Sequence, residues 1–216
     1  MISHGVAMNR DRDASTSPHI SSMTHNMWMF YKPVSVDTDM SLGSDMCEMI
    51  PKDLRKRTHH IGRLDRDTSG LILLSEDGAL TQRILISGAL PKTYLARVSV
   101  CPSELQLDRL TQGLELGDGA AVCVSAERVD ESDPATMPLF LCPLVQGVES
   151  EYFFVRVVTC EGRNRIVRRM LAAVGMPVLG LHREKVGNSC LRPDMCPGTV
   201  SKLDISEVDT LVSLVS

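Results

Sequence analysis

Between Gly62 and Gly70 the chain sets Arg63, Asp65, Arg66, Asp67, Thr68 and Ser69 within nine residues, then runs straight into Leu71-Ile72-Leu73-Leu74. Carboxylates at this spacing can serve as a nucleophile or as an acid and base, and the guanidiniums between them can hold an anion. A carboxylate at the mouth of an apolar strand loses water, and a cationic neighbour then keeps it ionised. Two readings fit the residue types alone. Either the loop is a site carried on a rigid scaffold, or it is a surface turn whose Asp and Arg residues pair with one another in water. A second concentration of charge, Arg163, Arg165, Arg168 and Arg169, opens an apolar-periodic segment. Tyr94 stands in a third candidate segment, Lys92-Thr93-Tyr94-Leu95.

The elements that must position these groups follow from periodicity and turn residues. Leu71 to Leu74 is short, lacks polar alternation and is bracketed by Gly70 and Ser75-Glu76-Asp77-Gly78, which predicts a core strand with Asp65 on the loop before it. Trp28 to Tyr31 reads as a strand ended by Lys32-Pro33. Gly78 to Ile86 reads as a helix, and Lys92 to Val100 as a strand. A Ser103-capped helix stops at Gly113, and Ala120 to Val129 and Glu151 to Val158 give further strands. Val167, Met170, Leu171 and Val174 recur at helical spacing, so the arginines at 165, 168 and 169 fall in the first turns of an amphipathic helix. Cations there oppose the helix dipole unless anions meet them. Strands outnumber helices and lack crossover connections, which predicts an α+β fold with a mixed, mostly antiparallel sheet and flanking helices.

A chain of 216 residues with 43% hydrophobic residues has the size and composition of a globular domain. No apolar run is long enough for a membrane span, and no apolar leader pattern appears near the start. Seven scattered cysteines without a Cys-x-x-Cys pair argue for reduced thiols rather than a disulfide framework. The net charge of -4 is uneven. Residues 151–187 carry seven cations against three carboxylates, a local surplus that suits phosphate contact at one face of an otherwise acidic body. His59 and His60 are adjacent, with no Cys or carboxylate at ligand spacing, so a solvated or RNA-facing basic loop is favoured there over a metal.

The string Gly62-Arg63-Leu64-Asp65-Arg66-Asp67-Thr68-Ser69-Gly70-Leu71 resembles the catalytic motif of the RNA pseudouridine synthases, in the RsuA-like branch that modifies ribosomal RNA. Tyr31-Lys32-Pro33, Lys92-Thr93-Tyr94-Leu95, and the run from Glu161 to Met170 match further family segments in the same order, so the likeness covers residues 27 to 205. The resemblance implies a sheet divided by a central cleft and isomerisation of a uridine in RNA. It implies Asp65 as the essential carboxylate, Tyr94 as the residue that stacks on the base and takes the C5 proton, and Arg168 as the cation that salt-bridges Asp65. Arg63, Arg66, Lys92, Arg163, Arg165, Arg169 and Arg183 are then candidates for RNA contact. The reaction transfers no electron or external group, so no cofactor and no metal are expected.

The expected organisation is a tail over residues 1–25, a catalytic domain over 26–208 and a C-terminal tail over 209–216. The branch's N-terminal RNA-binding domain of S4 type has too few residues before Trp28. The expected partner is RNA, as ribosomal RNA or a pre-ribosomal particle, met by a cytoplasmic monomer without membrane contact. Two departures stand out: Val34-Ser35 where the family has glycine two residues after the proline, and Ile166 where it has glutamine. A noncatalytic RNA-binding relative is the alternative; retention of Asp65, Tyr94 and Arg168 together argues against it. A magnesium-dependent aspartyl phosphatase is disfavoured because its motif follows a strand, whereas this one precedes it.

Overall fold

The computed structural model describes residues 25–140 and 151–215. The tail expected over residues 1–25 therefore lies almost entirely outside the described residues. In chain order the elements are β1 (Met27–Lys32), α1 (Asp45–Met49), α2 (Lys52–Arg55), β2 (His59–Ile61), β3 (Thr68–Ser75) and α3 (Gly78–Ser87). They continue with β4 (Lys92–Val98), α4 (Glu104–Gln112), β5 (Leu114–Leu116), β6 (Gly119–Ala121), β7 (Ser125–Val129), α5 (Met137–Phe140) and β8 (Phe153–Thr159). The last are α6 (Ile166–Ala173), β9 (Val178–Val186), β10 (Ser189–Cys190), β11 (Val200–Lys202) and α7 (Ile205–Ser213).

The main sheet runs β11-β1-β3-β9-β4-β8-β7, with β10 on β9 and β2 on β3, while β5 and β6 form a separate hairpin. Among the described residues only β3 and β9 pair in parallel; the other ladders are antiparallel. The class is α+β, with a mixed, mostly antiparallel sheet. β3 is buried along its whole length because both faces are covered, which is why it reads as a continuous aliphatic run. Ile72 and Leu74 pack with Trp28 and Phe30 in one cluster. Leu71 and Leu73 pack with Met27 and Met29 in the other. Alternate residues of β1 and β3 thus feed cores on opposite faces of the sheet.

The pairing along one edge of β3 creates the cleft. β9 follows β3 only from Thr68 to Gly70, and β2 takes over from Leu73 to Ser75. At the start of this junction Gly70 has φ of +120°, and a Cβ there would stand 2.3 Å from the Arg183 main-chain oxygen and 2.5 Å from its nitrogen. Glycine is what lets the two backbones approach so closely.

The sequence-based elements fall near their observed ranges for β1, α3, β4, α4, β8 and α6. Ser103 and Gln106 form a reciprocal capping box at the start of α4. Three features differ. The central strand β9 was not expected. The strand expected over Ala120 to Val129 is two short strands, β6 and β7. The C-terminal tail expected over 209–216 is helical as far as Ser213, because Val208 and Leu211 of α7 bury against the second core.

Candidate active site

The loop from Gly62 to Asp67 is fixed by its own carbonyls. His60 Nδ1 lies 2.9 Å from the Gly62 oxygen, and Arg183 Nη1 lies 3.4 Å from that of Arg63. Thr38 Oγ1 donates to the Leu64 oxygen at 2.8 Å and accepts from the Leu64 N–H at 3.0 Å. The Thr68 N–H donates to the Asp65 oxygen at 3.0 Å, and the Ser35 N–H to that of Arg66 at 2.7 Å. Arg168 Nη2 donates to the Asp67 oxygen at 2.8 Å. Six consecutive carbonyls thus have partners, two from the flanking residues His60 and Thr68 and four from Ser35, Thr38, Arg168 and Arg183 elsewhere in the chain, and the buried Leu64 pins the loop's centre. Asp65 is held in place by this scaffold rather than left on a free turn.

Ser35, the departure from glycine, adopts φ of +65°. A non-glycine residue in the left-handed region carries a penalty of about 1–2 kcal/mol; its 2.7 Å bond to Arg66 is what holds it there. Beside it Lys32 is fully buried and donates from Nζ to the oxygens of Pro33 and Val36, at 2.8 and 2.6 Å. Burial lowers its pKa to about 8, against the pull of Asp37, Asp67 and Asp65. The Lys-Pro turn is therefore a buried brace under the loop.

The second component is α6, whose apolar positions Val167, Met170, Leu171 and Val174 are buried as the periodicity requires. Arg165 caps it with φ of +49°, a left-handed conformation at a bulky residue. That turn carries its guanidinium back across the loop, where Nη1 and Nη2 meet the two Asp67 carboxylate oxygens at 3.0 and 2.8 Å. Nη1 also stands 3.6 Å from Asp65 Oδ2. The pairing expected from Arg168 to Asp65 is thus made by Arg165 instead. Arg168, a turn further along and with a side chain only 12% exposed, reaches the end of the loop, where its Nη2 is 3.3 Å from the Asp67 carboxylate. Hydrogen bonding from Arg165, with the charges of Arg168 and Arg165 adding to it, holds the Asp67 carboxyl below the usual carboxylate range.

A cavity of about 570 Å³ opens between loop and sheet. Asp65, Thr68, Tyr94, Arg165, Leu181 and Arg183 are among its walls. It sits at the seam of the two cores, since Leu64, Tyr94 and Leu181 belong to one and Ile84, Leu90 and Val186 to the other. Lys92 lies further along the same strand as Tyr94 and donates from Nζ to the Cys160 oxygen at 2.9 Å. Burial, and secondarily the charge of Arg183, lowers its pKa.

The proposed RNA contacts divide into three groups. Arg63 and Arg66 are exposed, and Arg66 pairs with Asp37 at 2.8 Å. Arg163 and Arg169 both bind Asp118 on the β5–β6 hairpin, and Arg163 also binds Glu161 at 3.0 Å. The cationic surplus of residues 151–187 is therefore largely met by carboxylates from elsewhere in the chain. Arg183 is not on the surface: it is 3% exposed, with Nε donating to the Leu71 oxygen at 2.7 Å. Sequence reasoning missed Thr38 and the buried role of Arg183. The signal for Arg183 was its place two residues after Leu181 in an alternating apolar stretch, masked by the polar run His182-Arg183-Glu184-Lys185.

A family model described as RNA pseudouridylate synthase matches residues 26–173. The chain is 38% identical over 171 residues to an uncharacterized RNA pseudouridine synthase of Mycobacterium bovis, which covers 78% of this chain and 60% of the relative. It thus spans 60% of the length of that relative. It is 30% identical over 208 residues to the ribosomal large subunit pseudouridine synthase E of Vibrio vulnificus, covering 92% of this chain and 84% of the relative. A crystal structure of a pseudouridylate synthase matches with a TM-score of 0.70 and 27% identity, over 87% of this chain and 74% of that one.

Proposed function

The chain belongs to the RNA pseudouridylate synthase family, and from that premise we propose that it isomerises a specific uridine of ribosomal RNA to pseudouridine, with Asp65 as the essential carboxylate. The observation that carries this reading is the position of Asp65: on a loop whose carbonyls are all engaged, at the wall of a nucleoside-sized cavity that also holds Tyr94. The reaction breaks the N1–C1′ bond, turns the base and joins C5 to C1′, and the proton leaving C5 is balanced by one gained at N1. Asp65 is the nucleophile or anionic stabiliser of this sequence, and Arg165 at 3.6 Å counters its charge. Tyr94, 8% exposed, offers a ring for the base to stack on and a phenolic oxygen that relays the C5 proton, taking it as its own proton is passed on. The apolar walls exclude water from the broken bond.

Ribosomal RNA as the substrate class is supported by the name of the Vibrio relative. RNA phosphates are proposed to meet the rim arginines Arg163, Arg165 and Arg169, exchanging with Asp118 and Asp67. Arg63 and Lys92 line the same cavity, and Arg66 stands exposed on the loop, paired with Asp37. Pseudouridine mapping of ribosomal RNA, taken from cells lacking the gene and incubated with the purified chain, tests the proposal. A newly modified uridine, absent when Asp65→Asn protein is used, is the expected result. RNA binding with no uridine converted would assign the noncatalytic role instead.

A further inference from the structure

Among the side-chain atoms of the described residues that are buried without a hydrogen-bond partner, two belong to residues that line the cavity: Arg183 Nη2 and Thr68 Oγ1. Both residues are almost wholly buried, at 3% and 1% exposure. They are diagonal neighbours across the β3–β9 ladder, in which Thr68 pairs with Leu181 and Gly70 with Arg183. Alternation puts Thr68 and Gly70 on one face, and Leu181 and Arg183 on the same one. The Arg183 fork is held from behind by its 2.7 Å bond from Nε to the Leu71 oxygen. Its carbon lies 6.0 Å from the centre of the Tyr94 ring. Among the described residues no carboxylate comes within ion-pair distance of this guanidinium. A buried guanidinium nitrogen and a buried hydroxyl left without partners are costly unless a ligand satisfies them.

We propose that Arg183 and Thr68 read the edge of the target base, Nη2 donating to O4 of uracil and Oγ1 accepting from N3–H. The inference rests on the isomerase reading above and names the groups that select its substrate. Guanidinium is a donor only, whereas hydroxyl both donates and accepts. Uracil presents an acceptor at O4 beside a donor at N3, and cytosine presents an amino donor in place of O4. A fixed donor opposite position 4 therefore accepts uridine and repels cytidine, while the base lies against Tyr94, as flipped bases are commonly held. Gly70 makes the arrangement possible, because only a residue without Cβ lets β9 bring Arg183 against Leu71.

The test is a cycle of two proteins and two RNAs. One RNA carries uridine at the target position and the other 2-pyrimidinone riboside, which lacks O4 and presents N3 as an acceptor that the Thr68 hydroxyl meets by donating instead of accepting. The wild-type chain is expected to lose about ten- to a hundred-fold in single-turnover kcat/KM on removal of O4, the range for a hydrogen bond to a charged donor. Arg183→Met is expected to be slow on uridine by a similar factor and to lose nothing more on the analogue. Arg183→Lys keeps a buried cation and serves if the Met variant does not fold. An ammonium anchored on the Leu71 oxygen cannot also fork to the base, so it too should be indifferent to O4. A full O4 penalty persisting in either folded variant overturns the inference, as does a wild-type chain indifferent to O4. Absence of any turnover by the wild-type chain on uridine RNA would instead overturn the isomerase reading, and this inference with it.

Discussion

The floor of the cleft and its rim use arginine in opposite ways. On the floor, Arg183 is buried, tied to the carbonyls of Leu71 and Arg63, and keeps one nitrogen without a partner and no acid within ion-pair distance. On the rim, Arg163, Arg165 and Arg169 are partly or largely exposed and each already holds a carboxylate, from Asp118 or Asp67. A charge tally along the sequence counts floor and rim alike as free positive surface. The fold neutralises the rim and, among the described residues that line the cavity, leaves a buried guanidinium nitrogen without a partner at Arg183. Selectivity is thereby assigned to a rigid, dry position, and adhesion to exposed pairs that phosphate can exchange in water.

The largest break in this contrast is Gly70→Ala. The added Cβ meets backbone rather than a movable side chain, at 2.3 Å and in a conformation that L-residues avoid. A loss of about 4 kcal/mol or more is expected, read as failure to recover folded protein or as a large drop in the denaturation midpoint. Recovery of a stable variant would mean that β9 does not press on β3 as described.

Acid should disturb the floor next. His182, on β9 beside Arg183, is buried, pairs with Ser69 at 2.9 Å and meets the edge of the Tyr31 ring. Burial, with the charge of Arg183 adding to it, lowers its pKa to about 4. The unfolded chain takes up this proton near pH 6.5, whereas the folded chain resists until about pH 4. Stability from this group is thus complete above pH 6.5 and falls as pH drops through that window, by on the order of 3 kcal/mol. Denaturant unfolding at pH 7 and pH 4 should show that loss in the wild type and little of it in His182→Gln. Equal losses in both would assign the acid sensitivity to other groups.

The rim itself should split. Arg165 touches both Asp65 and Asp67, whereas Arg169 touches Asp118. Arg165→Ala is expected to slow single turnover at saturating RNA by about ten-fold or more, through loss of the charge facing Asp65. Arg169→Ala should leave that rate unchanged and weaken binding. If the two variants behave alike, the distinction between a catalytic and an adhesive arginine fails.

The smallest effect belongs to Asp118→Asn. Releasing Arg169 from its carboxylate, and loosening Arg163, which keeps Glu161, should raise RNA affinity about two- to five-fold at low salt, a gain that fades as salt is added. Unchanged affinity would indicate that phosphate does not compete for these two arginines.

Much of this was legible in the sequence, for identifiable reasons. β3 and β1 are buried on both faces and read as apolar runs. α6 has an apolar face at helical spacing, and α4 carries its cap in Ser103. Asp65, Tyr94 and the arginine cluster were legible as residue types in a motif, and the fold brings Asp65, Tyr94 and Arg165 to one cavity. β9 was hidden because it buries His182 and Arg183, so its polar residues conceal a central strand. Which arginine meets Asp65 was also hidden, since it depends on the left-handed turn at Arg165, and nothing in helical periodicity announces such a turn. The helical end of the chain was missed because Leu211 and Val208 bury against residues distant in sequence.

The central claim is that the carboxylate of Asp65 drives the isomerisation, and the most direct measurement is single turnover by Asp65→Asn on the RNA that the wild-type chain modifies. Asp65 sits on a loop held by main-chain carbonyls, not by its own side chain, so the substitution should leave folding and RNA affinity near wild type. Complete loss of pseudouridine formation by this folded, RNA-binding variant is the expected result. Measurable turnover by the well-purified variant would contradict the claim and shift the role to Asp67.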